Sequence, residues 1–224
     1  MSSFWNLEEK FDFEALAGRT GQITVYSDEG RNIIRLLDDK CEYEINTIVE
    51  IGTWNGLGST LCILEGIKDK KVRFWSLECN KEKHESAVQS LSDMIEGDVK
   101  LLWGSIVDID IVNSIDYRSR FSTLEHSDTL QVWFNVDIEN CGVCPNVLHM
   151  LPEKIDFLLL DGGEFTTLYE FECLFDRCDR YIALDDIFTD KCREVRKRLL
   201  DTGKWEEIVY LESRNGFSIF RKSI

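Results

Sequence analysis

Five short apolar runs, separated by helix-length segments, constrain the fold of this chain more than any other feature of its sequence. Each run is nearly continuous in apolar and β-branched residues, which is typical of strands buried on both faces of a parallel sheet. The runs are Thr47–Ile51, Val72–Glu78, Val99–Trp103, Ile155–Leu160 and Tyr181–Leu184. The helices predicted between them include Ser59–Ile67, Lys81–Ile95 and Thr167–Cys178. This alternation predicts an α/β fold with helices on both faces of the sheet.

Two further strands are predicted beyond residue 204, and their connection differs from the others. The runs Glu207–Leu211 and Phe217–Phe220 lie within the segments Trp205–Leu211 and Gly216–Lys222, and the dipeptide Asn215-Gly216 between them is a strong signal for a tight turn. We therefore predict an antiparallel hairpin that completes a seven-stranded, mostly parallel, Rossmann-like sheet.

A single domain over residues 1–224 is expected, because no repeat, Pro-rich linker or low-complexity tract divides the sequence. Apolar residues at helical spacing, among them Phe11 and Phe13, predict a helical cap over residues 1–44. Residues 108–151 are longer than an ordinary crossover connection and predict a lid over a substrate pocket. An extra helical layer whose aromatic residues only pack is an equal alternative.

The charge balance narrows the class of partner. Asp and Glu number 42 against 26 Lys and Arg, a formal net charge of −16, which repels nucleic-acid phosphates and anionic lipid. No apolar run approaches the roughly 20 residues that cross a bilayer, and no basic segment followed by an apolar one opens the sequence. We expect a cytoplasmic protein with neither a nucleic-acid nor a membrane partner. Its eight Cys are expected to be buried thiols, and the sequence leaves a homo-oligomer open.

A glycine-rich turn gives the strongest functional signal. The segment Glu50–Thr60 follows the first predicted strand, opens a helix and has glycine at positions 52, 56 and 58. Glycine lets a backbone turn tightly and approach a ligand closely. Glu78, at the end of the second strand, can accept both hydroxyl protons of a ribose. These features predict a nucleoside cofactor.

Two classes of nucleoside cofactor compete at this turn. A dinucleotide fingerprint needs a small residue three positions after its second glycine, but Leu61 stands there. The order of acidic residue, glycine-rich turn, Glu78 and then Gly104-Ser105 after the third strand resembles class I S-adenosylmethionine-dependent methyltransferases. In the order of its elements the resemblance covers Thr47 to Lys222. It implies S-adenosyl-L-methionine (SAM) as the cofactor.

The same resemblance implies a role for each residue near the turn. Glu50 would hold the loop and lie near the methionine ammonium, with a carboxylate that only caps its own loop as the alternative. The resemblance implies that Glu78 binds the ribose. Apart from the resemblance, Trp54 is expected to contact a ligand because it is an aromatic residue within the turn, with packing in the core as the alternative. The other residues expected at the cofactor are Gly52, Thr53, Gly56, Gly58, Ser59, Gly104, Ser105, Ile106 and Asp161.

Acidic residues also follow the fourth and fifth predicted strands. Asp161 comes directly after one strand, and Asp185-Asp186 follows the next. Neighbouring parallel strands bring their carboxyl ends to one crevice, where three unpaired carboxylates would repel one another. A hard divalent cation, Mg²⁺, Mn²⁺ or Ca²⁺, would neutralise them. The alternative is that these acids cap loops and that Asp161 only contacts the cofactor.

This second motif looks like that of metal-dependent O-methyltransferases, specifically the macrocin-type, cephalosporin-hydroxylase-like and rhamnosyl sugar O-methyltransferases. The likeness implies that Asp161, Asp185 and Asp186 bind the cation and that two vicinal hydroxyls of the acceptor complete its coordination shell. Asp161 would also be a catalytic residue. Glu164 stands where related enzymes often have His or Lys, so Glu164 or His126 would remove the acceptor proton. For His126 we favour the alternative of a surface residue.

The sequence thus predicts an enzyme that transfers methyl from SAM, in line, to a hydroxyl of a glycan or glycoside, for example a deoxyhexose such as rhamnose. A divalent cation would lower the pKa of that hydroxyl. A small catechol-like diol as acceptor, an NAD-type oxidoreductase and a non-catalytic nucleoside-binding domain remain open. The basic run Lys191–Arg198 is interpreted as the solvated face of a helix, with a site for an anionic substrate as the alternative.

Overall fold

The computed structural model describes residues 22–38, 44–95, 97–114 and 127–223. The strands in these ranges are β1 (Thr47–Ile51), β2 (Arg73–Glu78), β3 (Val99–Trp103), β4 (Ile155–Leu160), β5 (Cys178–Asp185), β6 (Trp205–Leu211) and β7 (Phe217–Lys222). The α-helices are α1 (Asp28–Asp38), α2 (Ser59–Ile67), α3 (Lys81–Ser90), α4 (Ile109–Ser114), α5 (Ser127–Val143), α6 (Thr167–Leu174) and α7 (Arg193–Asp201). Short 3₁₀ helices at Leu148–Met150 and Phe175–Arg177 precede β4 and β5.

All seven strands belong to one sheet with the order β3-β2-β1-β4-β5-β7-β6. Strand β1 is central and pairs in parallel with β2 and β4, whereas β7 pairs antiparallel with β5 and β6. The predicted α/β, Rossmann-like class and its hairpin are confirmed. Because the strand order reverses beside β1, the carboxyl ends of β1 and β4 border a crevice, which is where ligands bind in sheets of this kind.

Apolar side chains pack on both faces of the sheet. Alternate residues of a strand point to opposite faces, so Ile48 of β1 and Phe157 of β4 enter a cluster with residues of α1 and α2. Their neighbours Val49 and Leu158 enter a second cluster with residues of α6 and α7. These two layers of helices pack against the strands whose ends border the crevice.

Helix α3 is shorter than predicted, because its apolar pattern continues into a turn. The helix begins after Asn80, whose side chain accepts the N–H of Lys83 at 3.0 Å, and it ends at Ser90 instead of Ile95. Leu91 and Met94 follow the helix but are still fully buried. Burial in a turn therefore produced the same apolar spacing as burial on a helix.

Several predictions fall partly outside the described residues. These include Phe11, Phe13, His126 and most of the predicted cap over residues 1–44. Within the predicted lid, α4 and α5 are described. No helix in the described ranges is both long and apolar enough to cross a membrane. The described cysteines are free thiols, of which Cys62, Cys141, Cys178 and Cys192 are buried and Cys79, Cys144 and Cys173 are half-buried.

Candidate active site

A cavity of about 420 Å³ opens at the carboxyl ends of the central strands. It is lined by most of the residues that the sequence singled out: Gly52, Thr53, Trp54, Gly58, Ser59, Glu78, Gly104, Ser105, Ile106, Asp161, Asp185 and Asp186. Glu50, Gly56 and Glu164 are not part of its lining. The glycine turn and the strand-end acids therefore border the same space, as the sequence predicted.

Gly52 places the glycine turn directly against the end of β4. Its φ of +99° is in the left-handed region that favours glycine, and its N–H donates to the carbonyl oxygen of Leu77 at 2.9 Å. A Cβ at this position would lie 2.1 Å from the carbonyl oxygen of Asp161. The close approach of the two chain segments thus requires glycine here.

Glu50 is completely buried and holds the turn from beneath. Its Oε1 accepts the hydroxyl of Ser59 at 2.5 Å, and its Oε2 accepts those of Thr60 at 2.8 Å and Ser76 at 2.6 Å. Burial raises the pKa of Glu50, and the three hydroxyl donors oppose that rise. These contacts agree with a carboxylate that caps its own loop, while a contact with the methionine ammonium stays a prediction.

Glu78 lies at the cavity wall and orders the turn from its other side. Its Oε2 accepts the N–H of Trp54 and its Oε1 accepts the N–H of Asn80, both at 2.8 Å. Burial raises the pKa of this carboxyl, and the two backbone donors oppose the rise. Trp54 has a left-handed φ of 53°, and the Nζ of Lys83 lies 4.0 Å from its ring centroid. The half-exposed indole is thereby fixed at the edge of the cavity.

The loop after β3 also lines the cavity, through Gly104, Ser105 and Ile106. Ser105 donates its N–H to the carbonyl oxygen of Pro145 at 3.0 Å and accepts the N–H of Val147 at 2.9 Å. A Cβ on Gly104 would lie 2.6 Å from Val147 Cγ1. Gly104 is therefore needed for packing against residues 145–147, a reason that its position after a strand did not reveal.

Asp161, Asp185 and Asp186 form a cluster that we call the acidic rim. One oxygen from each carboxylate lies within 4.8 Å of the others, so the predicted convergence is confirmed. Arg214, in the turn between β6 and β7, donates to Asp185 from Nη2 at 3.0 Å and from Nη1 at 3.3 Å. The hairpin therefore supplies one positive charge to the rim.

Lys191 supplies a second positive charge that the sequence interpretation missed. Its Nζ lies 2.5 Å from Asp161 Oδ1 and 2.9 Å from Asp186 Oδ2, and its side chain is only 8% exposed. The prediction that Lys191 belongs to a solvated helix face was wrong, because α7 begins at Arg193 and Lys191 lies in the loop before it. One sequence feature could have placed Lys191 at the rim: it stands five residues after Asp186, in the loop that follows a parallel strand.

The rim carboxylates and the ammonium of Lys191 shift each other's pKa values. Burial works to lower the pKa of Lys191, but the carboxylates of Asp161, Asp186 and Asp185 raise it well above its ordinary value. Burial would raise the pKa of Asp186, yet the Lys191 ammonium brings it below its usual range. The carboxylates around Lys191 therefore favour its charged form.

A second pair of carboxyls, Asp137 and Glu170, lines the cavity without having been predicted. Asp137 lies on α5 and accepts the N–H of Phe165 at 3.3 Å; burial raises its pKa to about 6. Glu170 lies on α6 and accepts the hydroxyl of Thr166 at 2.9 Å through Oε1. Its Oε2 is buried and has no hydrogen-bond partner among the described residues, and burial raises the pKa of Glu170 to about 7.

Glu164 points to the loop that follows β5. Its Oε2 accepts the hydroxyl of Thr189 at 3.3 Å, and burial raises its pKa. A role for Glu164 as the base stays a prediction, whereas Asp137 and Glu170 line the cavity.

No protein-family model and no curated protein sequence matches this chain. Solved structures do match its fold. An O-methyltransferase from Bacillus cereus in complex with SAH is 15% identical, with a TM-score of 0.59 over 97% of this chain and 90% of that chain. An O-methyltransferase from Streptomyces achromogenes involved in tomaymycin synthesis, in complex with SAM, is 13% identical, with a TM-score of 0.57 over 97% and 89%.

A methyltransferase from Geobacter sulfurreducens is similar to the same degree. It is 14% identical and has a TM-score of 0.58 over 95% of this chain and 86% of that chain. The chain thus has the fold of these methyltransferases along nearly its whole length.

Proposed function

We propose that this chain is a SAM-dependent O-methyltransferase. The observation that carries the proposal is a cavity whose lining includes the glycine turn, Glu78 and the acidic rim. The fold around it is that of solved O-methyltransferases in complex with SAH or SAM. A carboxylate beside a glycine turn suits a ribose, and further carboxyls in the same cavity suit an acceptor hydroxyl.

The cofactor half of the cavity would be formed by the turn and the loop after β3. Glu78 would accept the ribose hydroxyls, and Ser105 and Ile106 would lie beside the adenine. Because the sulfonium methyl is already activated, the protein has only to hold an acceptor oxygen roughly 3 Å from it and in line with the bond that breaks.

A sugar hydroxyl is the acceptor that we propose. Asp137, Asn140 and Glu170 give one cavity wall several hydrogen-bond acceptors, which suit a polyhydroxylated molecule. Carboxyls outnumber Lys191 and Arg214 in the lining, so a phosphate-bearing acceptor would be repelled. Asp137 or Glu170 would receive the hydroxyl proton, since burial places the pKa values of both near neutrality.

The arrangement of the acidic rim around Lys191 disagrees with the divalent cation predicted from the sequence. Three carboxylates within 4.8 Å of one another are a suitable donor set. The ammonium of Lys191, however, lies between Asp161 and Asp186, so these residues as arranged do not fit a bound divalent ion. The proposed reaction therefore uses the side chains of the cavity and no metal.

Calorimetric titration with S-adenosylhomocysteine and with NADH tests the cofactor. Saturable binding of S-adenosylhomocysteine is expected, and Glu78→Gln should weaken it at least about tenfold through loss of charge at the ribose. Glu82→Gln, at an exposed position of α3, is the matched control. Binding of NADH alone would overturn the proposal.

Mass spectrometry after incubation with SAM tests the acceptor. Panels of glycosides and of catechols should show the gain of one methylene on a glycoside. Methylation of catechols alone would favour the small-diol alternative. Cofactor binding with no methylated product from either panel would favour a non-catalytic domain.

A further inference from the structure

We propose that Lys191 is the built-in cation of the acidic rim, in the position that a divalent ion would take, and that its ammonium positions the acceptor oxygen without a metal. The location of the Lys191 ammonium within the rim is argued from geometry alone. Its action on the acceptor oxygen rests on the proposed methyl transfer. The sequence analysis did not assign this role, because Lys191 opens a run of basic residues that was interpreted as a helix face.

The distances place the ammonium inside the cluster. Nζ is 2.5 Å from Asp161 and 2.9 Å from Asp186, and a magnesium ion would need those same oxygens at about 2.0–2.1 Å. An ion bound to those oxygens would therefore lie no more than about 4.6 Å from the ammonium, which means a strong repulsion in a partly buried site. The two cations therefore compete for the rim.

The loop before α7 fixes Lys191 in this position. Thr189 donates its N–H to the carbonyl oxygen of Asp186 at 3.1 Å, and its hydroxyl accepts the N–H of Lys191 at 3.3 Å. Asp186 has a left-handed φ of 57°, which turns the loop back over the rim. With its side chain only 8% exposed, Lys191 is a buried part of the site.

An ammonium has three N–H donors, and the described carboxylates of Asp161 and Asp186 take two of them. Lys191 also lines the cavity, so the third donor can reach an acceptor oxygen there. A hydroxyl that accepts this hydrogen bond is held in place and loses its proton more readily, which is the contribution otherwise expected from a metal. The proton would pass to Asp137 or Glu170.

The acidic rim, together with Lys191 and Arg214, is close to neutral in net charge. Three rim carboxylates face Lys191 and Arg214, which leaves one net negative charge when all five are ionised. Removal of Lys191 would leave three carboxylates against Arg214 alone. Carboxylate oxygens in that state are an attractive site for a hard divalent cation.

Titration with Mn²⁺, followed by the loss of the free-ion electron paramagnetic resonance signal, tests the position directly and does not depend on methyl transfer. The wild-type protein should bind no stoichiometric Mn²⁺ at the rim. Lys191→Ala should bind one ion at least about a hundredfold more tightly than wild type, because a unit positive charge close to the site has gone. The double variant Lys191→Ala, Asp186→Asn should lose that gain.

Lys191→Arg is the matched control, because it retains the positive charge and should not gain the ion. Thermal unfolding and S-adenosylhomocysteine titration verify that each variant folds, and Lys191→Met replaces Lys191→Ala if the alanine variant does not fold. The proposal is overturned if a folded Lys191→Ala or Lys191→Met variant binds Mn²⁺ no better than wild type. It is also overturned if wild type binds one ion that Asp161→Asn abolishes.

Activity provides the second arm once an acceptor is known. Wild-type turnover should be unchanged in excess EDTA, and Lys191→Ala should lose turnover and regain part of it with added Mn²⁺. Loss of wild-type turnover in EDTA would contradict metal-free transfer. Failure to find any methyl acceptor would count against the proposed function alone, since the Mn²⁺ titration stands independently of it.

Discussion

Replacing Glu170 by Gln should remove a pH dependence that this carboxyl imposes on stability. Burial raises the pKa of Glu170 from 4.5 to about 7. The side chain is away from water, and only its Oε1 has a described partner, Thr166, at 2.9 Å. The folded protein therefore keeps a proton in this pH interval that the unfolded chain releases.

The direction and size of the change in stability follow from the difference between the folded and unfolded pKa values of Glu170. A carboxyl whose folded-state pKa is raised contributes stability below its unfolded pKa and loses it as the pH rises through the folded value. The interval from 4.5 to about 7 corresponds to a loss of about 2.5 kcal/mol between about pH 5 and about pH 8. In a chain of this size that is about 5–10 °C in the melting temperature.

Urea denaturation at those two pH values measures the effect. Glu170→Gln should show a smaller fall in the free energy of unfolding than wild type, by about 2.5 kcal/mol. Glu153→Gln, at an exposed position before β4, should retain the wild-type dependence. An identical pH dependence in wild type and Glu170→Gln would refute the assignment of the retained proton to Glu170.

Two further substitutions test the support of the glycine turn. Thr60→Val removes a hydroxyl donor from the buried Glu50 carboxylate and should cost about 2 kcal/mol in thermal denaturation, whereas Thr129→Val at an exposed position of α5 should cost far less. Gly52→Ala would bring a Cβ to 2.1 Å from a carbonyl oxygen at a φ of +99°, so S-adenosylhomocysteine affinity should fall in calorimetry; unchanged affinity would contradict the tight packing of the turn.

The pattern of apolar residues predicted the helices and strands well where all residues of a segment lie in the same kind of environment. The bounds of β1, β3, β4 and α2 agree with the sequence prediction, because their apolar runs are bounded by polar or glycine residues. Strand β5 begins at Cys178, earlier than the predicted Tyr181. Its pairing with β4 shifts register between Ile155 and Phe157, and polar Asp179 and Arg180 at that irregularity interrupt the apolar pattern.

The site was predictable where residues belong to a local motif and not where distant segments meet. The glycine turn, Glu78 and the acidic rim lie at strand ends, and parallel strands bring such ends together whatever the side chains are. Lys191, Asp137 and Glu170 come from loops and helices with no motif. Their contacts depend on how α5, α6 and the loop before α7 pack, which sequence spacing does not encode.

The ion pair between Arg214 and Asp185 makes the β6–β7 turn unlike most hairpin loops, which tolerate insertions. A single residue added between Glu212 and Gly216 would shift Arg214 away from Asp185, to which it donates two hydrogen bonds, and leave that carboxylate without its arginine partner in the wall of the cavity. We infer that the length of this turn, although it connects two strands at the edge of the sheet, is fixed by the charge balance of the cavity.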